Sequence, residues 1–165
     1  MPKPFVPIIM GSGKDIDHAR KIGNVLNDWQ VEGEYRVCSA HKNSPYLMKM
    51  LEEYDSDTGL SIVYITIAGR SDGLSGTVAG HTTRPVIGCP PYSEKYSGMS
   101  AISTFYMPSK ASVLFVPEPE NAALAAIRIF ALSDERLAND LKDYMLGTKA
   151  EIELADQGGK KGFGE

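Results

Sequence analysis

Residues 61–68, Ser-Ile-Val-Tyr-Ile-Thr-Ile-Ala, form the most strand-like stretch of this chain. They are β-branched or apolar nearly throughout, which is typical of a strand that is buried on both faces. We therefore expect this strand at the centre of a sheet. Residues 69–76, Gly-Arg-Ser-Asp-Gly-Leu-Ser-Gly, follow it at once and are rich in types that tolerate unusual backbone angles.

Strand-like and helical segments alternate on both sides of this stretch. Four more short runs have the pattern of strands, at residues 5–10, 32–37, 86–89 and 113–116, with Pro7 an irregularity in the first. Apolar residues at helical spacing, or helix-start signals, predict six helices: one ending near residue 29, 45–54, one ending near 82, 98–105, 121–131 and 134–154.

Five strands that alternate with helices predict an α/β fold, in which a parallel five-stranded sheet has helices on both faces as a three-layer sandwich. Right-handed crossovers favour the flavodoxin-like strand order 2-1-3-4-5, followed by a C-terminal helix. The length of 165 residues and the lack of a linker predict a single domain over residues 1–156. Residues 157–165 have too few apolar side chains to pack and are predicted to be disordered.

Composition and charge exclude several classes of partner. With 42% hydrophobic residues, a formal charge of −4 and a pI near 5.4, nothing favours nucleic acid or an anionic membrane. The first residues lack the apolar run of a signal peptide, and no segment has the length of a membrane span. Cys38 and Cys89 do not have metal-ligand spacing. We expect a cytoplasmic protein with reduced thiols.

Three loops fall at the carboxyl ends of strands that would be neighbours. They are residues 11–15 after the first strand, 38–45 after the second and 69–76 after the third. In an open parallel sheet, ligands bind at this edge, where the strand order reverses. We therefore predict that the three loops share one pocket.

The loop at 11–15, Gly-Ser-Gly-Lys-Asp, can bind an anion. Its backbone N–H groups and the dipole of the following helix favour negative charge, while Ser12 adds a hydroxyl and Lys14 an ammonium group. It lacks the spacing of a phosphate-binding P-loop, and Ile16 stands where a dinucleotide-binding loop has its third glycine. The alternative is a turn that only caps the helix. Asp15 can likewise bind ribose hydroxyls or only favour the helix start.

The loop at 38–45 presents His41 on a tight turn, with Ser44 placed to cap the next helix. His41 can act as a general acid or base near neutral pH, or it can be structural. Lys42 beside it, and Arg70-Ser71 in the third loop, can bind phosphate or simply lie in solvent.

The remaining histidines and the cysteines are interpreted as structural. His18 and His81 lie in or near helices, without a visible partner. Cys38 and Cys89 have the character of small buried residues, and no histidine is placed to activate either as a nucleophile. From the residues alone, we predict an anion-binding pocket with one candidate acid–base histidine.

Taken together, the motifs are far more specific than any one of them. In chain order they are Ile8-Ile9-Met10-Gly11-Ser12 with Asp15, Ser39-Ala40-His41, Ala68-Gly69, Pro85-Val86-Ile87-Gly88-Cys89-Pro90, Met107-Pro108-Ser109 and Asn121-Ala122-Ala123-Leu124. This series resembles the PurE family of purine biosynthesis over about residues 5 to 132. Two positions depart from the family pattern: Lys14 replaces a serine, and Lys110 replaces a glycine.

The PurE family has two branches. The mutase moves a carboxylate from the exocyclic nitrogen of N-carboxyaminoimidazole ribonucleotide to carbon 4, and the carboxylase adds carbon dioxide directly to aminoimidazole ribonucleotide (AIR). Mutases typically read Ser-Ala-His-Arg-Thr-Pro and Gly-Gly-Ala-Ala-His-Leu-Pro-Gly in the second and third loops. This chain has Lys42 in the second loop, and Gly73 and Ser75 where the mutase has a histidine and a proline. It therefore resembles the AIR carboxylase branch.

The resemblance implies roles for individual residues. His41 is expected to transfer the proton, and Ser12, Ser39 and Lys42 to bind the phosphate. Asp15 is expected to hold the ribose, and carbon dioxide to lie beside residues 69–74. The full set of expected substrate-binding residues is Gly11, Ser12, Lys14, Asp15, Ser39, Ala40, Lys42, Ala68, Gly69, Arg70, Ser71, Gly73 and Leu74.

The resemblance also implies the reactants and the assembly. The substrates would be AIR and carbon dioxide, with no metal, biotin or ATP as cofactor, because the aminoimidazole ring is itself nucleophilic. No nucleic acid or membrane partner is expected, and the family pattern implies a homo-octamer. Two alternatives stay open: the mutase reaction in the same pocket, and a noncatalytic sensor of nucleotide phosphates, which the departures at Lys14 and Lys110 favour.

Overall fold

In the computed structural model, which describes residues 2–92, 94 and 98–159, a parallel sheet carries helices on both faces. The strands are β1 Lys3–Met10, β2 Glu32–Val37, β3 Leu60–Ile62, β4 Tyr64–Ile67, β5 Val86–Gly88 and β6 Leu114–Phe115. The helices are α1 Ile16–Asp28, α2 Ser44–Asp55, α3 Gly73–Ala79, α4 Met99–Phe105, α5 Pro119–Phe130 and α6 Glu135–Gly159, with a 3-10 turn at Gly13–Asp15. The predicted loop at 90–98 includes positions 93 and 95–97, which lie outside the described residues.

The strand predicted at 61–68 is divided into β3 and β4, and both halves pair with β1. The division falls at Val63, which lies opposite Val6, and the next residue of β1, Pro7, has no N–H to donate to the ladder. Register is nevertheless kept across the gap, since Phe5 lies opposite Ile62 and Ile8 opposite Ile65. With the two halves counted as one strand, the observed order β2-β1-β4-β5-β6 is the predicted flavodoxin-like order.

The central strand alternates between two hydrophobic cores, as a strand that is buried on both faces must. Val63, Ile65 and Ile67 contribute to the core beneath α1, α5 and α6. Ile62 and Tyr64 contribute to the core beneath α2 and α3. Full burial of each such side chain stabilises the fold by roughly 1.5–3 kcal/mol, so this strand anchors both outer layers. The predicted three-layer sandwich is confirmed.

The C-terminal helix α6 packs only through its first turns. Leu137 and Leu141 are buried against the sheet-side helices, whereas Leu146, Ile152 and Leu154 are 62%, 65% and 67% exposed. The helix reaches Gly159, three residues into the segment predicted to be disordered, and residues 160–165 lie outside the described residues. Within the described ranges, no helix is long and apolar enough to cross a membrane.

Candidate active site

The three loops that the sequence singled out meet at one edge of the sheet. The strands before them, β1, β2 and β4, end side by side, because the Gly11 N–H donates to the Ile67 carbonyl and the Cys38 N–H to the Met10 carbonyl, both at 2.9 Å. The loops border a cleft of about 430 Å³. Its lining consists of Gly11, Ser12, Lys14, Asp15, Ser39, Ala40, His41, Lys42, Ala68, Arg70, Ser71 and Leu74.

Gly69 and Gly73 are the two predicted residues outside this lining, and each makes room for a side chain inside it. A Cβ atom on Gly69 would lie 3.4 Å from Asp15 Oδ1. A Cβ atom on Gly73 would lie 2.6 Å from His41 Nε2 and 2.8 Å from its Cε1, far inside van der Waals contact. The imidazole of His41 therefore rests directly on the Cα of Gly73.

The turn that carries His41 is fixed by backbone hydrogen bonds, and the His41 side chain itself is exposed. The N–H groups of Lys42 and Asn43 both donate to the Ser39 carbonyl, at 3.1 and 2.9 Å. Asn43, rather than Ser44, caps α2, because its side-chain oxygen accepts an N–H of the first helical turn at 3.3 Å. Ser44 is already the first residue of the helix, so the prediction for its capping role is wrong.

The hydroxyl of Ser12 both caps a turn and lines the cleft. It accepts the Lys14 N–H at 3.3 Å, at the start of the 3-10 turn Gly13–Asp15. This hydrogen bond is the cap of the alternative interpretation, and the same hydroxyl also lines the cleft. Asp15 differs, since it is half-buried and makes no side-chain hydrogen bond to the start of α1. Burial raises the pKa of its carboxyl above the usual value.

Asp15→Asn is expected to raise the free energy of unfolding near neutral pH. Because burial raises the folded-state pKa, the folded protein disfavours the carboxylate, and wild-type stability falls as the pH rises through that pKa. The variant escapes this loss, and the two proteins should converge below pH 3.8, the ordinary value for the group. Urea unfolding from acid to neutral pH measures the difference. Asp17→Asn, which removes an exposed carboxylate two residues later in the first turn of α1, should give no such gain.

The charges that line the cleft suit an anion with hydroxyl groups. Lys14, Lys42 and Arg70 bring three cationic side chains, against the single carboxylate of Asp15. Cations favour phosphate, whereas an ionised carboxylate only accepts hydrogen bonds and so favours hydroxyl or amine donors. The cleft can therefore hold a phosphorylated sugar, and His41 lines the same cleft, beside whatever group the sugar carries.

Cys89 and His18 form a contact that sequence reasoning missed. The Cys89 sulfur lies 3.4 Å from His18 Nε2, and the thiol is fully buried. Burial raises the pKa of Cys89 to about 12, and burial lowers the pKa of His18, so both are neutral at pH 7. A neutral, inaccessible thiol is not a nucleophile. The contact corrects the expectations that His18 lacks a partner and that no histidine lies near Cys89, and the structural interpretation of the two residues stays a prediction.

The other predicted structural residues have local roles. His81 Nδ1 lies 2.8 Å from the Thr77 carbonyl at the end of α3, where the ring is exposed. The Cys38 thiol donates to the Asn43 carbonyl at 3.6 Å. Among the residues that the structure describes, no group of three or more histidine, cysteine or acidic side chains is placed to hold a metal ion.

A second, larger groove of about 620 Å³ lies between α1 and the edge strand β2. Its ionisable side chains are Glu32, Glu34 and Tyr35, and its lining includes no histidine, lysine or arginine. Lys3 and Arg36 already pair with Glu32 and Glu34, and the lining itself offers no cation to bind a phosphate. The chemistry therefore favours the smaller cleft at the carboxyl edge.

A buried acid beside the cleft is another feature that sequence reasoning did not find. Asp72 is 7% exposed, and its carboxylate accepts three hydrogen bonds, two from Ser75 and one from Thr104. The spacing of Asp72 and Ser75 is that of a helix N-cap and its third helical residue, which is a signal visible in the sequence. Nothing in the sequence pairs Asp72 with Thr104, which lies on α4.

The fold and the cleft define a flavodoxin-like α/β protein with a cationic pocket at the strand-order reversal. The family model for AIR carboxylase matches residues 5–151 of the chain. A phosphoribosylaminoimidazole carboxylase of Archaeoglobus fulgidus is 40% identical over 150 residues, covering 91% of this chain and 82% of that protein. One from Treponema denticola is 44% identical over 143 residues, covering 87% and 89%.

The same likeness is found in three dimensions. The crystal structure of Treponema denticola PurE superposes with a TM-score of 0.92 and 42% identity, covering 96% of this chain and 100% of that one. The chain belongs to the AIR carboxylase (PurE) family, a family of enzymes of purine biosynthesis. The predicted family is confirmed.

Proposed function

We propose that this protein is a phosphoribosylaminoimidazole carboxylase, which adds carbon dioxide to carbon 4 of AIR to give 4-carboxy-AIR. The observation that carries the proposal is one cleft that gathers three cations, one carboxylate and His41. The names of the relatives from Archaeoglobus fulgidus and Treponema denticola support the same reaction. The reaction belongs to cytoplasmic purine biosynthesis, and residues 1–156 act as a single domain.

The phosphate of AIR binds to the Ser12 loop, Ser39 and Lys42, and Asp15 accepts hydrogen bonds from the ribose hydroxyls. This leaves the aminoimidazole ring near His41, with carbon dioxide beside residues 69–74. Holding both reactants in one cleft converts a bimolecular step into an effectively unimolecular one. The cations then contribute to affinity, and the geometry contributes to rate.

The chemistry needs one bond formed and one proton removed. The electron pair of the enamine-like ring attacks the carbon of carbon dioxide, which forms the bond at carbon 4 and leaves a carboxylate and a positively charged ring. His41 then accepts the proton from carbon 4, and the pair from the C–H bond restores aromaticity. The imidazolium afterwards loses that proton to solvent. The ring supplies its own nucleophile, so the step needs neither ATP nor biotin.

The contact between Gly73 and His41 favours the carboxylase over the mutase. Mutases carry a second histidine where this chain has Gly73, and a side chain there would collide with His41 at 2.6 Å. The site as built has room for one imidazole at this point. Lys42 and the Ala68-Gly69-Arg70-Ser71 sequence are in keeping with the same branch.

The assembly that we propose is a homo-octamer. Apolar side chains are exposed on α4 and along the second half of α6, among them Phe105 at 61% and Ile152 at 65%. Such surfaces are typical of contacts between subunits. No nucleic acid or membrane takes part.

Initial rates with two alternative substrates test the proposed reaction. Purified protein receives AIR with carbon dioxide or, separately, N-carboxy-AIR in carbon dioxide-free buffer, and the ultraviolet absorbance of the product is followed. We expect formation of 4-carboxy-AIR from AIR and carbon dioxide without ATP. Use of N-carboxy-AIR alone would identify a mutase, and tight AIR binding without any turnover would identify a sensor.

Lys14→Ser, which restores the residue usual in the family, is expected to weaken AIR binding by about 10- to 150-fold, since a hydrogen bond to a charged group contributes roughly 1.5–3 kcal/mol. Lys14 lines the cleft beside Ser12, where its ammonium group can pair with phosphate. Isothermal titration with AIR measures the effect. Lys21→Ser removes an exposed lysine of α1 outside the cleft and should leave the affinity unchanged. Equal affinities for wild type and Lys14→Ser would contradict a phosphate contact.

A further inference from the structure

The carboxylate of Asp72 is buried among neutral donors. Asp72 Oδ1 accepts the Ser75 N–H at 2.8 Å, and Oδ2 accepts the hydroxyls of Ser75 at 2.6 Å and Thr104 at 2.7 Å. The backbone N–H of Asp72 donates to the Ser103 hydroxyl at 2.8 Å. Both the side chain and the main chain of this residue are therefore fixed, and α4 supplies two of the four bonds.

The network extends from Asp72 into the central strand. The Ser75 and Thr66 hydroxyls lie 2.7 Å apart, and because the Ser75 proton goes to Asp72, the single Thr66 proton is shared between the Ser75 oxygen and the Ile87 carbonyl at 3.2 Å. Asp72, Ser75, Thr66 and Thr104 are all buried. A buried polar network with every member satisfied is rigid, because any displacement leaves a group unpaired at a cost of about 1–3 kcal/mol.

A helix cap alone does not account for this arrangement. Capping α3 requires one oxygen of Asp72 to accept the Ser75 N–H. Asp134 meets that requirement on α6 with a single bond of 3.0 Å to the Leu137 N–H and remains partly exposed. Asp72 instead buries its second oxygen against Thr104, which ties the loop before α3 to another helix.

The residue that this network fixes most directly is Gly73, which follows Asp72 in the chain. The His41 imidazole packs directly against Gly73, and there is no space for even a methyl group between them. We infer that Asp72 is a positioning residue for His41, acting through Gly73, and that α4 sets the place of the proton acceptor through Ser103 and Thr104. Asp72 does not touch the substrate. The inference rests on the proposed function for its kinetic consequence but not for its geometry.

The test compares Asp72→Ala with Asp134→Ala, which removes a cap of the same kind far from the cleft. Both should lower the unfolding temperature. Only Asp72→Ala should reduce kcat, by about 100-fold for a displacement of roughly 1 Å at the reacting group, with KM for AIR little changed. Only Asp72→Ala should shift the NMR signal of His41 Cε1 in histidine-labelled protein, with His18 and His81 as internal references.

Conservative variants keep the test decisive if Asp72→Ala folds poorly. In Asp72→Asn, the amide oxygen can still accept the Ser75 N–H, and the amide nitrogen can donate to the two hydroxyls. The Thr104 hydroxyl can then turn to the Ser100 carbonyl, which lies 3.3 Å away. Asp72→Asn and Thr104→Ser should therefore retain most of the wild-type kcat and the wild-type His41 signal. Thr104→Val should lower kcat and shift the His41 signal.

Two outcomes would overturn the inference. One is an unchanged kcat in Asp72→Ala and Thr104→Val together with a lower unfolding temperature, which is the result for a cap alone. The other is an unmoved His41 signal in both variants. If wild-type protein proves inactive with AIR, the proposed function fails, but the NMR comparison still decides the positioning role.

Discussion

His41→Asn is expected to reduce kcat for carboxylation by about 10²- to 10⁴-fold, the range for loss of a general acid–base group, while AIR still binds. Asparagine has a similar size and polarity, but it cannot accept a proton near neutral pH. The ring can still attack carbon dioxide, but the adduct then reverts because nothing removes the proton from carbon 4. Titration calorimetry with AIR and a steady-state assay separate the two effects.

The matched control for this variant is His81→Asn. His81 is exposed at the end of α3, where it contacts the Thr77 carbonyl outside the cleft. It should keep both affinity and kcat. Full turnover in His41→Asn would remove His41 from the mechanism. Loss of AIR binding in that variant would instead make His41 a binding residue.

Gly73→Ala is expected to reduce kcat by about 100-fold, because the added methyl group must displace the proton acceptor by roughly 1 Å. Its Cβ would lie 2.6 Å from His41 Nε2, so either the imidazole or the loop has to move. The network around Asp72 resists movement of the loop, and the imidazole is therefore the part that yields. The substrate-binding residues on the other loops stay where they are, so KM for AIR should change far less than kcat.

Gly76→Ala, one turn later in α3, controls for the change of residue type. Among the described residues, its Cβ would come close only to the Met107 sulfur, at 3.3 Å, which belongs to a flexible side chain. Alanine is favoured over glycine inside helices by about 1 kcal/mol, so neither variant should unfold more easily through helix propensity. We expect Gly73→Ala to lose activity without losing stability, and we expect Gly76→Ala to lose neither. Equal activity of the two variants would show that His41 adapts to the methyl group.

The order of the strands could be predicted from the sequence because alternation of strands and helices and the handedness of crossovers leave few arrangements. The division of the central strand could not. Pro7 was visible as an irregularity, but its effect on the strand opposite depends on a register that only the folded sheet defines. Helix α6 extends past its predicted end. The prediction depended on apolar side chains that can pack, whereas the last residues of the helix form helical hydrogen bonds without burying any side chain.

The meeting of the three loops could likewise be predicted, since each follows a strand and the strand order makes those strands neighbours. The roles of Gly69 and Gly73 could not be predicted. The side chains that need the space, Asp15 and His41, are each more than thirty residues away in the chain. The pairings of Cys89 with His18 and of Asp72 with Thr104 have the same character. Local patterns predict elements and loops, whereas contacts between distant residues depend on packing.

The most direct test of the proposed reaction supplies AIR and ¹³C-labelled carbon dioxide, without ATP or N-carboxy-AIR, and follows the product by NMR. We predict that the label enters a carboxylate bonded to carbon 4 as the carbon 4 proton disappears, at an initial rate proportional to dissolved carbon dioxide. His41→Asn should slow both changes by about 10²- to 10⁴-fold. Absence of label from carbon 4, or its transfer only when N-carboxy-AIR is supplied, would contradict direct carboxylation.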